Sequence, residues 1–441
     1  MTGERIVKIY MTLAGMYTLA ASLIWSVNTL FLLDAGLGIG EVFIANALFS
    51  AGMVLFEIPT GVVADTLGRR VSYLLSVAIL GSTTVLYVVA AQAGAGLAVF
   101  GVVSVFMGLG FTFYSGALEA WLVDALKAVG DDQALDHVFA RGQQVSGAAM
   151  FTGTIAGGFL GQINLAAPFV VRAGLLVAVF VIAAGLMQEI GFTPKSLQLS
   201  EVPAQMRRQA AVGISQGWGR PGLRLLMISG GIRGIFFGWG FYAAQPYFLE
   251  LLEQDAVWVV GLVTAGVSLA TIAGNQMVEA ISGRCGRRST MLIGAAVCSS
   301  IAAVVIGLTS TFAVAVGGLL VVAAAMGVTM PVRQAYLNQV TESEYRATVI
   351  SFDAMVTSVG GVGGQVGLGA VSDNRSLSAG YIVGGALTAL ALPPLLLLRR
   401  LGGPPDQLGP AVEAGVEGTC PEGLPRVTGV ESIPLPALTD D

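Results

Sequence analysis

The chain has 441 residues, 55% of them hydrophobic and only 11% charged, with a mean hydropathy of +0.79 and a formal net charge of −5. A soluble domain carries about 25% charged residues, so this chain lacks the polar surface to face water on all sides. The weak acidity offers no basic footprint for nucleic acid, and Cys285, Cys298 and Cys420 have neither metal nor redox spacing.

The apolar residues come as unbroken runs rather than amphipathic stripes. From Ile9 to Leu33 there is no charge, enough to cross a hydrocarbon core that needs roughly 20 residues. Arg5 and Lys8 before it resemble the start of a secretory signal, but the run exceeds a signal core of ~7–15 residues and more spans come after it. It is expected to be a retained first helix. Runs broken by Gly, Pro and charge place spans 1–6 near 9–33, 42–64, 72–91, 97–125, 140–162 and 166–188, and spans 7–12 near 224–249, 257–281, 290–309, 312–338, 347–370 and 378–398. The expected fold class is an all-α membrane protein of twelve transmembrane helices in two pseudo-symmetric six-helix bundles. The expected domains are an N-terminal bundle at 1–188, a connector at 189–223, a C-terminal bundle at 224–400 and a disordered tail at 401–441, rich in Pro, Gly and acids.

Basic residues accumulate on the cytoplasmic side of a membrane. Arg5, Lys8, Arg69, Arg70, Lys127 and Arg141 flank one set of span ends, with Lys195, Arg207, Arg208, Arg220 and Arg224 in the connector. Arg284, Arg287, Arg288, Arg346, Arg399 and Arg400 continue the pattern, and Arg375 is the exception. Both termini and the connector are therefore expected in the cytoplasm. Arg-over-Lys usage with Ala, Gly and Val richness suggests a GC-rich bacterial gene, hence the inner membrane.

Three matches relate the halves. Gly68-Arg69-Arg70 recurs as Gly286-Arg287-Arg288, Glu119-Ala120-Trp121-Leu122 aligns with Gln334-Ala335-Tyr336-Leu337, and Arg141 with Arg346. Parallel six-helix repeats are the architecture of rocking transporters.

The stretch Gly61-Val62-Val63-Ala64-Asp65-Thr66-Leu67-Gly68-Arg69-Arg70 resembles the signature loop between spans 2 and 3 of the major facilitator superfamily. Glu57-Ile58-Pro59-Thr60-Gly61 and Ser115-Gly116-Ala117-Leu118-Glu119-Ala120 resemble bacterial drug or metabolite exporters of that family. The resemblance implies a conformational latch of Gly61, Asp65, Gly68, Arg69, Arg70 and Asp124. In it Asp65 meets the positive N-terminus of span 11 and Arg69 pairs with Asp124. An anion at a helix N-terminus gains roughly 0.3–1 kcal/mol, enough to bias a state without freezing it. Gly61 and Gly68 are expected to permit close approach and a sharp turn. In the second half Gly283 replaces the acid and Gln339 stands for Asp124, so a weaker second latch is expected. The bland alternative is that Arg69 and Arg70 merely fix topology.

Ionisable groups within spans are costly unless paired or wetted. Glu57 and Glu119 sit roughly 10 Å inside the cytoplasmic edge at 1.5 Å per residue, and with Asp353 they are candidate proton sites; the alternative is interhelical hydrogen bonding. Arg333 is expected to share a depth with Asp353 and to pair with it, or with Glu119 across the halves as a gate. Arg233, near the middle of span 7, needs a carboxylate or an anionic ligand, whereas Arg172 is expected to snorkel at the outer end of span 6. Trp239, Tyr242 and Gln245 on span 7, with Trp25 and Asn28 on span 1, complete the candidate cavity, and Gln245-Pro246 is a candidate helix break. Gly153, Gly157 and Gly161 on span 5, and Gly360 and Gly364 on span 11, are spaced for close helix crossings. Gly153-Thr154-Ile155-Ala156-Gly157-Gly158 resembles the antiporter motif of drug exporters, with Thr154 where that motif has proline; span 4 lacks the arginine many proton-coupled exporters have. His137 is expected in a cytoplasmic loop.

The leading expectation is a secondary transporter that exports a drug-like molecule or natural product. It would work as a monomer in the lipid bilayer, with the proton gradient as energy source and with no cofactor, metal or nucleic acid. Uptake or facilitated movement of a sugar or other metabolite is the rival on the same fold, and a non-transporting scaffold or sensor the rival of another class. No Ser/His, paired-Asp or metal cluster within the spans points to an enzyme.

Overall fold

Every backbone N–H and C=O in hydrocarbon needs a partner inside the protein, which leaves helices as the form apolar runs of this length can take. The computed structural model describes residues 1–131, 135–194 and 202–408, and these form twelve spans. Span 1 is Gly3–Ser22 and Asn28–Asp34, divided by a turn at 23–27; span 2 is Ile39–Leu67 and span 3 Arg69–Gln92. Span 4 is Leu97–Tyr114 and Ala117–Ala128, span 5 Leu135–Ile163 and span 6 Ala167–Leu186. Spans 7 to 11 are Pro221–Leu252, Val257–Cys285, Arg288–Leu308, Phe312–Val340 and Arg346–Asn374. Span 12 is Leu377–Ala389 and Leu392–Leu401.

Ten of the twelve are long and apolar enough to cross a membrane by length and composition; spans 1 and 5 fall short. Charges at the start of span 1, and Gly, Gln, Ser and Thr throughout span 5, dilute their hydropathy. Those small residues have a packing use. A side chain at Gly153 or Gly157 would run into the span 1 backbone at Leu19 or Leu23, and one at Gly360 or Gly364 into span 7 at Gly231 or Ile235. The close crossings expected from the glycine spacing are therefore present, spans 1 and 5 matching spans 7 and 11.

The packing repeats throughout. Span 1 lies on 5, 2 on 4, 3 on 4 and 3 on 6; in the second half 7 lies on 11, 8 on 10, 9 on 10 and 9 on 12. Between halves, span 2 packs on 11 and span 5 on 8, a pair the same two-fold exchanges. The first half has one continuous apolar core, from Ile6 through Phe100 to Met187. The second has two. One, around Leu226, Leu292 and Leu398, lies at the connector end, and one around Trp239, Ile306 and Tyr381 lies at the far end.

Two expectations need correction, and the connector adds a finding. Pro246 does not break span 7, which runs unbroken over 32 residues; the breaks fall in spans 1, 4 and 12. In span 4 the cause is Gly116, whose φ of +72° suits glycine. In span 12 it is the Pro393-Pro394 pair, which opens the segment Leu392–Leu401 and cannot donate backward. The connector, for which no secondary structure is expected from the sequence, contains the helix Val202–Val212 and a π-helical turn Gly213–Trp218. The tail does not begin at 401: residues 402–408 return to span 9, with a short helical turn at Pro404–Asp406 and Leu408 N–H donating to Gly286 O at 3.0 Å. The expected disorder of residues 409–441 falls outside the described residues, as do Lys195 and Cys420.

Gly157→Val is expected to force span 5 away from the Leu23 carbonyl. Overpacking of this kind costs about 1–3 kcal/mol, so the purified variant should melt several degrees lower while Gly147→Val, with open space at that position, leaves the midpoint unchanged. Detergent thermal unfolding reads the difference.

Candidate functional site

The halves are joined at the end away from the connector. Gln245 of span 7 is 1% exposed, and its Oε1 accepts the Thr29 N–H while its Nε2 donates to Trp25 O, both at 2.9 Å. In an unbroken helix Thr29 N–H would bond Trp25 O directly. The Gln245 amide is inserted into that rung, which is what opens the turn in span 1. Asp373 Oδ1 accepts Gly40 N–H at 3.2 Å, joining span 11 to span 2. Gln162 at the end of span 5 donates to Asp255 O at 2.8 Å and accepts Trp258 N–H at 3.4 Å. Between them Gly158 faces Gly261 so closely that a Cβ on Gly158 would lie 2.7 Å from the Gly261 Cα. Towards the connector the same two spans part, leaving a cleft of about 470 Å³ lined by Gln143, Gln144, Met150, Phe151, Ser268 and Ile272.

This geometry reassigns part of the expected cavity. Gln245 seals rather than lines. Trp239 is fully buried among Phe43, Phe236 and Tyr381, a core position closed to ligand. Asn28 donates to Asn46 Oδ1 at 2.9 Å, and Trp25 gives its carbonyl to the seal. Tyr242 reaches across to the neighbourhood of Tyr87 in the first half. Arg172 does not snorkel: it is 5% exposed and its guanidinium lies within electrostatic reach of Tyr17 and Tyr87 inside the first bundle.

Of the charged candidates, Arg333 and Asp353 form a pair. Arg333 Nε donates to Asp353 Oδ2 at 3.1 Å and its Nη2 to Oδ1, while Nη1 donates to Leu226 O at 2.6 Å. Both carboxylate oxygens are engaged, so the alternative pairing with Glu119 is not made in this conformation. Glu119 stands in the first turn after the span 4 break, where the partial positive charge of a helix N-terminus favours an acid. Its Oε2 is buried without a hydrogen-bond partner among the described residues, and Tyr10, Tyr17, Tyr73 and Tyr114 surround it within electrostatic reach. Glu57 is exposed beside the same break, with Ser115 Oγ 3.5 Å away. Arg233 is half-buried in span 7 and engages no acid among the described residues.

The latch residues gather where span 2 turns into span 3. Gly68 makes the turn with φ +104°. Arg69 is 2.7 Å from Asp65 and 4.0 Å from Asp124. Arg70 Nη2 donates to Ala184 O at 2.7 Å at the end of span 6. Gly61, by contrast, is exposed with no described atom near where a Cβ would stand, so the close approach expected there is not made in this conformation.

Sequence reasoning missed two acids at these nodes. Glu189, just after span 6, accepts Arg70 N–H at 2.8 Å and so caps span 3. Asp406, just after span 12, accepts Ser289 N–H at 2.7 Å and Ser289 Oγ–H at 2.8 Å and so caps span 9. Arg288 completes that node by donating to Gln339 Oε1 at 3.0 Å and to Gln407 O at 2.9 Å. Asp406 is thus the counterpart of Glu189, while Gly283 and Gln339 leave the second node without the acids that Asp65 and Asp124 provide in the first. The repeat itself carried the signal, because Glu189 and Asp406 stand apart by nearly the same interval as Gly68 and Gly286.

Residues 234–428 match the model of the Major Facilitator Superfamily. Solved structures with the same architecture include a nucleoside transporter, NupG, at 11% identity and a TM-score of 0.75, covering 90% of this chain and 99% of that one. An auto-inhibited POT family peptide transporter aligns at 13% identity and a TM-score of 0.70, covering 92% and 99%. The human organic anion transporter MFSD10 aligns at 16% and 0.57, covering 90% and 100%. Comparison with curated proteins finds no match to the sequence. The chain has the twelve-helix fold of major facilitator type that these solved structures share.

The two capping acids differ in burial, and that difference is testable. Asp406 is 1% exposed whereas Glu189 lies at an exposed contact. Asp406→Ala strands the buried Ser289 groups at about 1–3 kcal/mol and should lower the melting midpoint more than Glu189→Ala does. Equal effects would mean that the Asp406 contact adds nothing to the fold.

Proposed function

We propose that the protein is a secondary transporter that exports a small drug-like molecule or natural product by alternating access, coupled to proton entry. It would sit in a bacterial inner membrane with the connector and both termini in the cytoplasm. The observation that carries this reading is the asymmetry of the interface between the halves: hydrogen-bonded at the far end, parted between spans 5 and 8 at the connector end. Such a shape supports alternating access, and with the connector in the cytoplasm the open side would be the one from which an exporter loads. In the other state Gly61 would meet span 11 and Asp65 would face its N-terminus, the place at which an anion gains from the helix dipole.

Glu119 is the group best placed to couple protons. A carboxylate charge in low dielectric is costly without a cation, and Glu119 has a buried oxygen with no partner among the described residues. Binding a proton removes that charge, so occupancy can shift the balance between states by the differential cost. Asp353 is less suited, because Arg333 already neutralises it. Glu57, exposed with Ser115 Oγ 3.5 Å away, would be the second carboxylate to exchange protons with water.

A second reading, uptake or facilitated movement of a polar metabolite, is favoured by the nucleoside and peptide transporters among the structural neighbours. Dye-loaded cells separate the two. For proton-coupled export, expression lowers retained dye several-fold, and either an uncoupler or Glu119→Gln restores it. Retention that ignores expression, uncoupler and substitution alike would sink the export reading.

A further inference from the structure

Span 7 carries a charge that its surroundings do not answer. Arg233 lies twelve residues along the helix Pro221–Leu252, roughly 18 Å from the connector end at 1.5 Å per residue. That depth is near mid-membrane, beyond comfortable snorkelling. Its charged neighbour is Arg333, of the same sign. Arg333 reaches span 7 at Gly230, where its guanidinium occupies the space a side chain would need, one turn from Arg233. Asp353 is taken up bidentately by Arg333. That leaves Arg233 without an acid among the described residues.

The packing marks the same level. The two apolar cores of the second half involve residues 223–227 and 236–248 of span 7, and Arg233 falls in the gap. The glycine face, Gly231, Gly234 and Gly238, is pressed against span 11. Arg233 and Phe237 are four apart and so share a different face. Phe237 is 45% exposed, unlike Phe236 and Trp239 beside it, which are buried. An unpaired guanidinium with an open aromatic ring one turn away suits a flat molecule bearing a negative group. The guanidinium fork pairs with a carboxylate or sulfonate, and the ring stacks on an aromatic body.

We infer that Arg233 and Phe237 form the substrate's anion subsite, so that the transported molecule is an aromatic organic anion. This rests on the transport reading above and narrows it. The Arg333–Asp353 pair acts beneath it as a fixed floor, holding Arg333 one turn away and keeping Asp353 from neutralising Arg233.

The test uses the full chain purified in detergent and four matched probes: 1-naphthoate, 1-naphthalenesulfonate, 1-naphthamide and 1-naphthylmethylamine. Both anions should raise the thermal midpoint, and the neutral amide and the amine should not. Arg233→Gln should weaken anion binding about tenfold or more, the effect of losing one charge-assisted contact, while Arg233→Lys retains part of it. Without ligand, Arg233→Gln should melt no lower than the parent, since it removes an unanswered charge. Any of three results overturns the assignment: an equal shift with the amide, no shift with either anion, or a ligand-free Arg233→Gln that melts markedly lower. Restoration of transport by the exchange Glu119→Arg with Arg233→Glu would also overturn it, by making Arg233 half of a gate. Dye export that persists after such a failure leaves the transport reading standing; loss of both export and its uncoupler sensitivity removes that reading separately.

Discussion

A turn of helix unwound in hydrocarbon must find partners for its freed backbone groups within the protein. In span 1 those partners come from the other half of the molecule, through the single amide of Gln245 between Thr29 N–H and Trp25 O. The interface between the bodies depends on that insertion. Span 7 is fixed against the outer part of span 1, Asp373 and Gln162 add bonds on either side, and Gly158 and Gly261 bring spans 5 and 8 into backbone contact. All of this lies at one end, so the bodies are free to part at the other. These hydrogen bonds contribute about 0.5–1.5 kcal/mol net each, and more where the Asp373 carboxylate accepts, so the proposed cycle could break and remake them.

The interior charges divide into answered and unanswered ones. Arg333 and Asp353 satisfy each other and tie spans 7, 10 and 11 together. Glu119 in the first body and Arg233 in the second lack such partners among the described residues, as does Arg172, which has only Tyr17 and Tyr87 within electrostatic reach. A buried charge without a counter-charge destabilises the fold that holds it, which is the ground for proposing a proton at Glu119 and an anion at Arg233.

Much of this was legible from residue order. Twelve spans, the two related halves and the glycine crossings of spans 5 and 11 come from apolar run length, from repeated motifs and from small-residue spacing, all of which are local in the chain. The depth shared by Arg333 and Asp353 was readable from helix rise. What could not be read depended on contacts made between distant segments. Pro246 signals a break by its chemistry, yet span 7 stays whole, and the break appears in span 1 because Gln245 bonds there. Trp239 resembles a ligand wall by type, but Phe43 and Tyr381 close over it. Residues 402–408 look like the start of a polar tail until Asp406 is found on the Ser289 N–H and hydroxyl. Glu189 and Asp406 were within reach of the internal repeat, since each is the first acid after the sixth span of its half, but neither belongs to a motif that draws the eye.

Two rigid bodies that rock about the middle of their interface, so that the far-end contact opens as the cleft at the connector end closes, are the central claim. Spin labels at Gln143 and Ile272, across the cleft, and at Ile163 and Gln254, beside the far-end seal, measure this directly by pulsed dipolar spectroscopy. Rocking predicts two populations in each pair, with the cleft distance shortening as the far-end distance grows when the pH changes. A single fixed distance in both pairs, or distances that lengthen together, would contradict it.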